Sequence, residues 1–452
     1  MGCPDRTDLE ERALEALRPT RLQLRTLDRA FHLISSALES GLSSEGLSYV
    51  IEPEGSYAKG TLLSDRWELD VFVLFKGVDE GWVRSESVKY IRQALSGLPV
   101  VSKYSEHPYV TVSLMGLEVD VVPTVYSEKP TPGLGVARTP FHTRYVKSRL
   151  SQCQADDVRL LKSFLKGINA YGAEVQVGGF SGYLAELLVL SYGSFRSALK
   201  AMSEWRPRVY LDPEKRGLRS RLEERYPESP LIIVDPTDPE RNAAAAVSEE
   251  KLALAVMAAK LYLRRPSLSF FHVFGGRVEL KEKPPLVLVI CRGRYFDEPP
   301  ENVWGRLTRA SKALQSELRK RGFTPLKASV FTDEGTLAAI GVSLAFERLL
   351  GLEVLRGPDA WADPDNILAF ITRRLEEGGL WVGDRLYGFR RWRVTEASTV
   401  VEEWLSKGWG ELGDLCSVVT VNSDHGLSGL PAPVRGWAWR EFFTAPSWLA
   451  GL

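Results

Sequence analysis

Three acidic residues lie in or beside two short apolar segments of the chain. Glu68 and Asp70 flank Leu69 at the start of LDVFVLF, and Asp120 lies within LEVDVVP. Alternate residues of a strand share a face, so the carboxylates of Glu68 and Asp70 are predicted to point the same way. Three carboxylates converging from adjacent strands would offer oxygen ligands to two Mg²⁺ ions. Such ions can activate an attacking hydroxyl and stabilise a leaving pyrophosphate.

Two other interpretations of these acids stay open at this point. An E-x-D pair alone is more often a pair of solvated acids at a strand end, because acidic residues are common at protein surfaces. Glu118 competes with Asp120 for the place of third ligand, since the two share a predicted strand face. We favour Asp120 because it lies deeper in the apolar run.

The segment GSYAKGT precedes the first acidic pair and favours a phosphate-binding role. Gly55 and Ser56 lie between a predicted strand and a predicted helix start, where backbone N–H groups are free to bind phosphate. Lys59 adds a cation and Thr61 a hydroxyl group. A lone Gly-Ser is weak evidence, but its combination with a lysine, E-x-D and a third aspartate is specific.

Composition narrows the class of protein. The 452 residues are 44% hydrophobic and 26% charged, with 58 basic and 58 acidic residues, which is typical of a soluble globular chain. No apolar run approaches the roughly 18 residues needed to span a bilayer, and the N-terminus lacks a signal core. We therefore expect a cytoplasmic protein without membrane contact.

The cysteine and histidine content argues against a zinc site. Four cysteines lie far apart, none with CxxC spacing, and there are five histidines. This pattern predicts neither a zinc knuckle nor a disulfide framework.

Apolar periodicity predicts a mixed α/β (α+β) protein with several domains. An amphipathic helix is followed by strands at 49–51 and 69–75 and by a hairpin of 109–114 and 117–122. The helix has an apolar stripe of Leu24, Leu27, Phe31, Ile34 and Leu38. The predicted domains are 1–150, 151–265 and 266–452.

The second and third domains differ in their patterns. The second is mainly helical, with one strand at 231–234. The third begins with a strand, a helix, two strands and a helix at 364–375, an order that predicts a ferredoxin-like module.

The sequence resembles the DNA polymerase β superfamily of nucleotidyltransferases and, more closely, the archaeal (class I) CCA-adding enzymes. The segments that carry the resemblance, in chain order, are GSYAKGT…WELDVFVLF, EHPYVTVSLMGLEVDVVP, ARTPFH, VRLLKSFLKGINAYGAEVQVGGFSGYLAELL and VDPTDPERNAAAAVS. The resemblance implies a polymerase-β-like head, a helical central domain and a C-terminal ferredoxin-like body with a tail. It also implies addition or repair of the 3′ CCA of tRNA from CTP and ATP, with Mg²⁺.

The same resemblance implies roles for individual residues. Glu68, Asp70 and Asp120 would hold the metals, and Gly55, Ser56 and Lys59 would contact the triphosphate. The remaining nucleotide contacts would come from His142, Lys162, Tyr171, Tyr183 and Arg241, the last reading the base edge. Without the resemblance, a packing histidine, solvated basic residues and half-buried core tyrosines are the more common explanations of these five.

Binding of the tRNA acceptor arm and its 3′ end requires phosphate contacts and stacking. Two basic clusters are candidates, each equally compatible with a solvated surface. The first spans residues 206–225. The second interleaves cations with aromatic residues over 385–393, and within it Arg390, Arg391 and Arg393 are the candidate RNA-binding residues.

Two other functions remain open from the sequence alone. One is a poly(A)- or oligoadenylate-type RNA nucleotidyltransferase, and the other is a non-catalytic RNA-binding scaffold. The segments ARTPFH and DPERN argue against the first, and the three retained acids argue against the second. The oligomeric state is open.

Overall fold

The computed structural model describes residues 6–104, 108–130, 135–408, 412, 415–421 and 424–450. The chain forms two units, an N-terminal unit of residues 1–276 with 446–452 and a C-terminal unit of residues 277–445. Across the described residues, no helix is both long enough and apolar enough to cross a bilayer.

The helices and strands alternate irregularly along the chain. The helices are α1 (Asp8–Leu17), α2 (Arg21–Ser44), α3 (Gly55–Ala58), α4 (Glu80–Trp82), α5 (Val88–Ala94), α6 (Thr139–Arg149), α7 (Gln152–Gly167), α8 (Gly182–Tyr192), α9 (Phe195–Glu204), α10 (Arg219–Arg225), α11 (Glu249–Arg264), α12 (Pro300–Lys320), α13 (Pro364–Glu377), α14 (Ala397–Ser406), α15 (Ala432–Phe442) and α16 (Ser447–Ala450). The strands are β1 (Tyr49–Glu54), β2 (Leu69–Phe75), β3 (Val100–Tyr104), β4 (Pro108–Leu114), β5 (Leu117–Val125), β6 (Val209–Leu211), β7 (Leu231–Ile233), β8 (Arg277–Glu279), β9 (Leu286–Arg292), β10 (Pro325–Thr332), β11 (Leu337–Leu344), β12 (Leu352–Asp359), β13 (Gly379–Val382), β14 (Arg385–Arg391), β15 (Leu415–Val421) and β16 (Thr444–Pro446).

The head of the N-terminal unit is a five-stranded sheet in the order β1-β2-β5-β4-β3. Strands β2 and β5 pair in parallel, and the other neighbours pair antiparallel. The predicted hairpin is confirmed. Its turn residues Met115 and Gly116 have φ of 54° and 76°, the left-handed values that a tight hairpin turn uses. Strand β3 was not predicted.

Helix α2 packs on the head sheet through most of the predicted stripe. Leu27, Ile34 and Leu38 are fully buried and Phe31 is partly buried against them, but Leu24 is 39% exposed. The stripe therefore begins one turn later than the periodicity predicts.

The central helices of the N-terminal unit share a second core. Residues of α7, α8, α9 and α11 pack together, and α1 adds Ala13, Leu14 and Leu17 to this core. Ser248 is the N-cap of α11, because its side chain accepts a hydrogen bond from the Lys251 amide.

The C-terminal unit contains the predicted ferredoxin-like module. Its sheet has the antiparallel order β10-β11-β9-β15, and its chain order is β9-α12-β10-β11-α14-β15. Residues of α12 and α14 cover one face, and α15 covers the other through Trp437 and Phe442. The mixed α/β, multi-domain fold class is thus confirmed.

The second helix of this module differs from the prediction. The segment 364–375 is helical, as α13, but it belongs with an inserted sheet of order β12-β14-β13, and α14 takes the module position instead. The two segments that connect this insertion to the ferredoxin-like module are hydrogen-bonded to each other. The Leu349 amide donates to the Thr395 carbonyl over 2.8 Å, and the Ala397 amide donates to the Glu347 carbonyl over 2.9 Å.

The expectation that no disulfides are present is wrong. Cys291 and Cys416 are register partners on β9 and β15, and they form a disulfide across 125 residues. Sequence spacing could not reveal this pair, because the folding of the module brings the two strands together.

We expect loss of this disulfide to destabilise the C-terminal unit. The double variant Cys291→Ala/Cys416→Ala should lower the free energy of unfolding by roughly 2–4 kcal/mol, because the cross-link restricts the unfolded chain. Denaturant unfolding followed by tryptophan fluorescence measures this difference without reductant. The gap between variant and wild type should close when reductant is added, and a gap that persists would contradict the assignment.

Candidate active site

Four polar residues form one row across the head sheet. Glu54 is the register partner of Asp70, Asp70 is the register partner of Asp120, and Asp120 is the register partner of Thr111. Side chains directly opposite one another in a sheet lie on the same face. Strand pairing therefore brings Asp70 and Asp120 together, and Thr111 and Glu54 flank them.

The electrostatics of Asp70 indicate converging negative charge. Burial, together with the nearby charges of Asp120 and Glu68, raises the pKa of Asp70 to about 6. Asp120 is held by the Thr111 hydroxyl, which donates to Oδ1 over 2.7 Å. Glu118 lies two residues earlier at an exposed position opposite Ser113, outside the row.

Glu68 is turned toward solvent in this structure. Its carboxylate pairs with Arg66 Nε at 2.5 Å, and about half of its side chain is exposed. Among the described residues, no three acidic, histidine or cysteine side chains are grouped closely enough to hold a metal ion as they stand. Asp70 and Asp120 still supply carboxylate oxygens, the donor type that fits a hard divalent cation.

Gly55 begins α3 immediately after β1 and lies against the row. It has φ of +67°, and a Cβ built on it would lie 2.1 Å from Asp70 Oδ2. Only glycine accommodates both this backbone conformation and this approach. Ser56 follows in the same short helix, so the predicted strand-to-helix position of Gly55-Ser56 is confirmed.

Glu54 was not predicted as a site residue. It is 1% exposed, and its Oε2 atom has no hydrogen-bond partner within the described parts of the chain. Burial raises the pKa of Glu54 to about 7. This glutamate is the acid nearest to Gly55 along the chain, and its neutral form is favoured by its surroundings.

Lys59 and Lys162 meet at one buried carboxylate, that of Glu186 on α8. Glu186 Oε2 accepts from Lys59 Nζ at 2.6 Å, and Oε1 accepts from Lys162 Nζ at 3.0 Å. The Thr61 hydroxyl donates to Oε1 at 2.7 Å and accepts from Lys162 Nζ at 2.9 Å. We refer to Glu186, Lys59, Lys162 and Thr61 as the Glu186 cluster.

Tyr171 lies at the edge of the Glu186 cluster. A Cβ on Gly182 would lie 2.8 Å from the Tyr171 hydroxyl and 3.6 Å from Lys162 Nζ, so both groups approach the first residue of α8. Burial raises the pKa of Tyr171, which keeps the phenol protonated.

A second cluster forms around Asp235, which directly follows the strand segment 231–234. Asp235 Oδ2 lies 2.9 Å from His142 Nε2 and accepts from Arg241 Nη1 at 2.8 Å. Asp235 Oδ1 accepts from the Tyr183 hydroxyl at 3.1 Å. The rings of His142 and Tyr183 stack with centroids 3.9 Å apart. We refer to these four residues as the Asp235 cluster.

The protonation states in the Asp235 cluster follow from its burial. Burial lowers the pKa of His142, which favours the neutral imidazole, so the Nε2 proton is assigned to the bond with Asp235. Burial alone would raise the pKa of Asp235, but its hydrogen bonds and the charge of Arg241 hold that pKa well below its usual range.

The structure brings most predicted nucleotide-site residues into these two clusters. They are joined at Lys59, whose Nζ lies 5.8 Å from the Tyr183 ring centroid. Sequence reasoning missed Glu186 and Asp235. Glu186 had a signal, an isolated acid in the apolar helix LAELLVL, and Asp235 had another, an acid that ends the apolar strand LIIV.

The predicted RNA-binding arginines belong to the C-terminal unit. Arg390 is held by Glu353 at 2.7 Å and Glu377 at 3.2 Å, whereas Arg391 and Arg393 are exposed. The three arginines line a groove of about 500 Å³. The other residues that line it are Leu352, Glu377, Gly378 and Phe389.

Comparisons with known proteins identify the family of this chain. A family model described as a nucleotidyltransferase domain matches residues 36–151, and one described as the second domain of tRNA nucleotidyltransferase matches residues 156–272. The CCA-adding enzyme of Aeropyrum pernix is 45% identical over 402 residues, which are 87% of this chain and 86% of that relative. The chain belongs to the CCA-adding enzyme family. The resemblance inferred from its motifs is confirmed.

More distant members of the CCA-adding family match over a similar length. The enzyme of Saccharolobus shibatae is 34% identical over 400 residues, 87% of this chain and 91% of its own. The enzyme of Sulfurisphaera tokodaii is 35% identical over 395 residues, 86% of this chain and 89% of its own. The protein is accordingly an enzyme, a nucleotidyltransferase with a polymerase-β-like head. Nucleotidyltransferases of this kind generally use divalent metal ions.

We expect Gly55→Ala to impair nucleotidyl transfer strongly without unfolding the protein. The left-handed φ costs about 1–2 kcal/mol for alanine, and the new methyl group must displace the Asp70 carboxylate. A displacement of about 1 Å in such a site can reduce the rate about 100-fold. Steady-state nucleotide incorporation measures the loss. Gly60→Ala is the matched control, because φ there is +69° with no atom near the added Cβ.

Proposed function

We propose that this protein adds or rebuilds the 3′-terminal CCA of tRNA from CTP and ATP without a nucleic-acid template. The observation that carries the proposal is the row of Asp70 and Asp120 beside Gly55 and Ser56, in a chain of the CCA-adding family. This row joins candidate metal ligands to a phosphate-binding segment.

Asp70, Asp120 and Glu68 would hold the metal, which we propose to be Mg²⁺. When bound, the metal would activate the 3′ hydroxyl of the RNA and stabilise the leaving pyrophosphate. Asp70 remains partly accessible in the row, and Thr111 fixes the carboxylate of Asp120. Gly55 keeps the space beside Asp70 clear.

The triphosphate would lie between Ser56 and the Glu186 cluster. Lys59 and Lys162 would supply positive charge, and the Tyr171 hydroxyl would donate a hydrogen bond. His142 and Tyr183 form a stacked pair beside Lys59, which would position the phosphates and sugar.

Arg241 would read the base edge. One nitrogen of its guanidinium is held by Asp235, and about a third of its side chain is exposed. Anchoring one nitrogen fixes the plane of the group, and its remaining donors suit the acceptors that cytosine and adenine present.

We propose that residues 1–150, 151–265 and 266–452 have different roles. The first would hold the metals, the second would bind the nucleotide, and the third would bind tRNA. In the third, Arg391 and Arg393 would contact phosphates, and Arg390, braced by Glu353 and Glu377, would order the groove.

The test of the reaction is incorporation of each labelled nucleoside triphosphate, with Mg²⁺, into tRNA lacking part of its 3′ end. We expect C to be added to tRNA without CCA, then one A after CC. Asp70→Asn should reduce incorporation about 1,000-fold, since loss of a metal ligand removes several kcal/mol of transition-state stabilisation. EDTA should abolish incorporation, and Mg²⁺ should restore it.

The other outcomes separate the alternatives. A ladder of A alone would identify a poly(A)-type enzyme. No incorporation by the wild-type protein would favour an RNA-binding scaffold. Glu118→Gln is the matched control, because Glu118 lies outside the row, and it should retain activity.

We expect Arg391→Ala/Arg393→Ala to weaken tRNA binding and leave the KM for CTP unchanged. For each arginine that binds a phosphate, its removal should reduce the slope of log affinity against log salt by about 1. Filter binding from about 50 to 200 mM salt measures this slope. Arg348→Ala is the control, an exposed arginine of the same unit paired with Glu396. Because the control removes one charge and the double variant two, half as much weakening in the control would assign the effect to net charge alone.

A further inference from the structure

We infer that Glu186 is a positioning residue that holds the ammonium groups of Lys59 and Lys162 together as one pair, so that they present a surplus positive charge to the triphosphate. This inference rests on the proposed binding of a nucleoside triphosphate at the Glu186 cluster. It assigns a role to a residue that would not itself touch the nucleotide.

The geometry of Glu186 fits a positioning role. Its side chain is 0% exposed, so its carboxylate is available to the surrounding protein groups and not to solvent. Both oxygens are used, one by Lys59 and the other by Lys162 and Thr61. Lys59 reaches the carboxylate from the head, and Lys162 and Glu186 itself come from the central helices α7 and α8. A single carboxylate thus holds two cations that lie 127 and 24 residues before it in the chain.

The charge balance of the cluster explains why two lysines share one acid. A single buried lysine–glutamate pair would be neutral and would attract a triphosphate weakly. Two ammonium groups and one carboxylate leave one net positive charge. Lys59 retains 9% exposure of its side chain, whereas Lys162 has 3%, so Lys59 is the partner with an accessible side.

Stability alone does not account for such a cluster. Burying ions costs several kcal/mol each, and apolar replacement of buried ion pairs is often neutral or stabilising. The cluster also lies beside the Asp235 cluster, with Lys59 near the ring of Tyr183. A cost of this kind is expected where the charge serves a ligand.

The surroundings of Lys162 define what should happen when Glu186 loses its charge. The charged groups that act on Lys162 are Glu186, which favours its protonation, and Lys59 and Arg159, which oppose it. The Tyr171 phenol and Thr61 hydroxyl are its neutral neighbours. Burial lowers the pKa of Lys162 to about 8 even with Glu186 present. Without the carboxylate, Lys162 should lose its proton at a lower pH.

The experiment measures binding of inorganic triphosphate and of ATP by calorimetry from pH 6 to pH 9. In the wild type, affinity should be constant to about pH 8 and fall above it, because a neutral Lys162 no longer attracts phosphate. We call the pH at which affinity begins to fall the break. In Glu186→Gln the break should move down by at least about one pH unit, so that affinity at pH 8 is about tenfold weaker than at pH 6. Glu186→Asp retains the charge and should keep the break near that of the wild type.

Glu10→Gln is the matched control. Glu10 is also 0% exposed, lies on α1, and accepts hydrogen bonds from Arg196 and Tyr262. Its substitution should lower the melting temperature and leave the pH profile of binding unchanged. If Glu186→Gln fails to fold, Thr61→Val provides the second test. It removes one partner of Lys162 at similar volume and should move the break down by a smaller amount.

The outcomes are separable. A break that stays at the wild-type pH in folded Glu186→Gln or Thr61→Val would overturn the inference, as would a wild type that binds no triphosphate. A wild type that shows the expected pH profiles but adds neither C nor A to tRNA would overturn the proposed function and leave the role of Glu186 standing.

Discussion

Buried charge of both signs is the constraint on which the rest of the N-terminal unit depends. On the head sheet, burial and the neighbouring charge of Asp120 raise the pKa of Asp70. Elsewhere in the same unit, Lys59 and Lys162 share one carboxylate and retain a surplus positive charge. Neither imbalance is favourable by itself. In the function we propose, a metal–triphosphate complex would carry both missing charges, and its binding would balance the two sites together.

The fold needs only a few residues to position these charged groups. Strand register aligns Asp70 with Asp120, and the absence of a side chain at Gly55 leaves room for the Asp70 carboxylate. Elsewhere in the N-terminal unit, Glu186 on α8 and Asp235 after β7 each accept hydrogen bonds from distant segments. Because the two lysines, His142 and Arg241 are each bonded to one of these two acids, they would already be ordered when a nucleotide binds. Such preorganisation reduces the entropy that binding must otherwise supply.

The parts of the fold and of the candidate site that depend on a local sequence pattern were predictable. The β-branched and aromatic content of LDVFVLF, and the acid embedded in the apolar run LEVDVVP, identified the strands and their acids, and Gly-Ser marked the turn into α3. Glu186 and Asp235 escaped prediction because key partners, Lys59 and His142, are 127 and 93 residues away and follow no spacing rule. The second ferredoxin helix was misassigned because α13 and α14 are both amphipathic, and periodicity does not reveal which one packs on the sheet. The Cys291–Cys416 disulfide was also missed, because 125 residues separate the two cysteines in the chain.

The way in which the inserted sheet is attached affects how the C-terminal unit can change during evolution. Its entry and exit are held side by side by the paired segments near Leu349 and Thr395, so the ferredoxin-like module closes beneath it. The host module therefore does not depend on the length of what lies between those two points. The insertion can grow, shrink or be exchanged as a cassette during evolution, and the C-terminal unit can acquire a new surface without refolding its core.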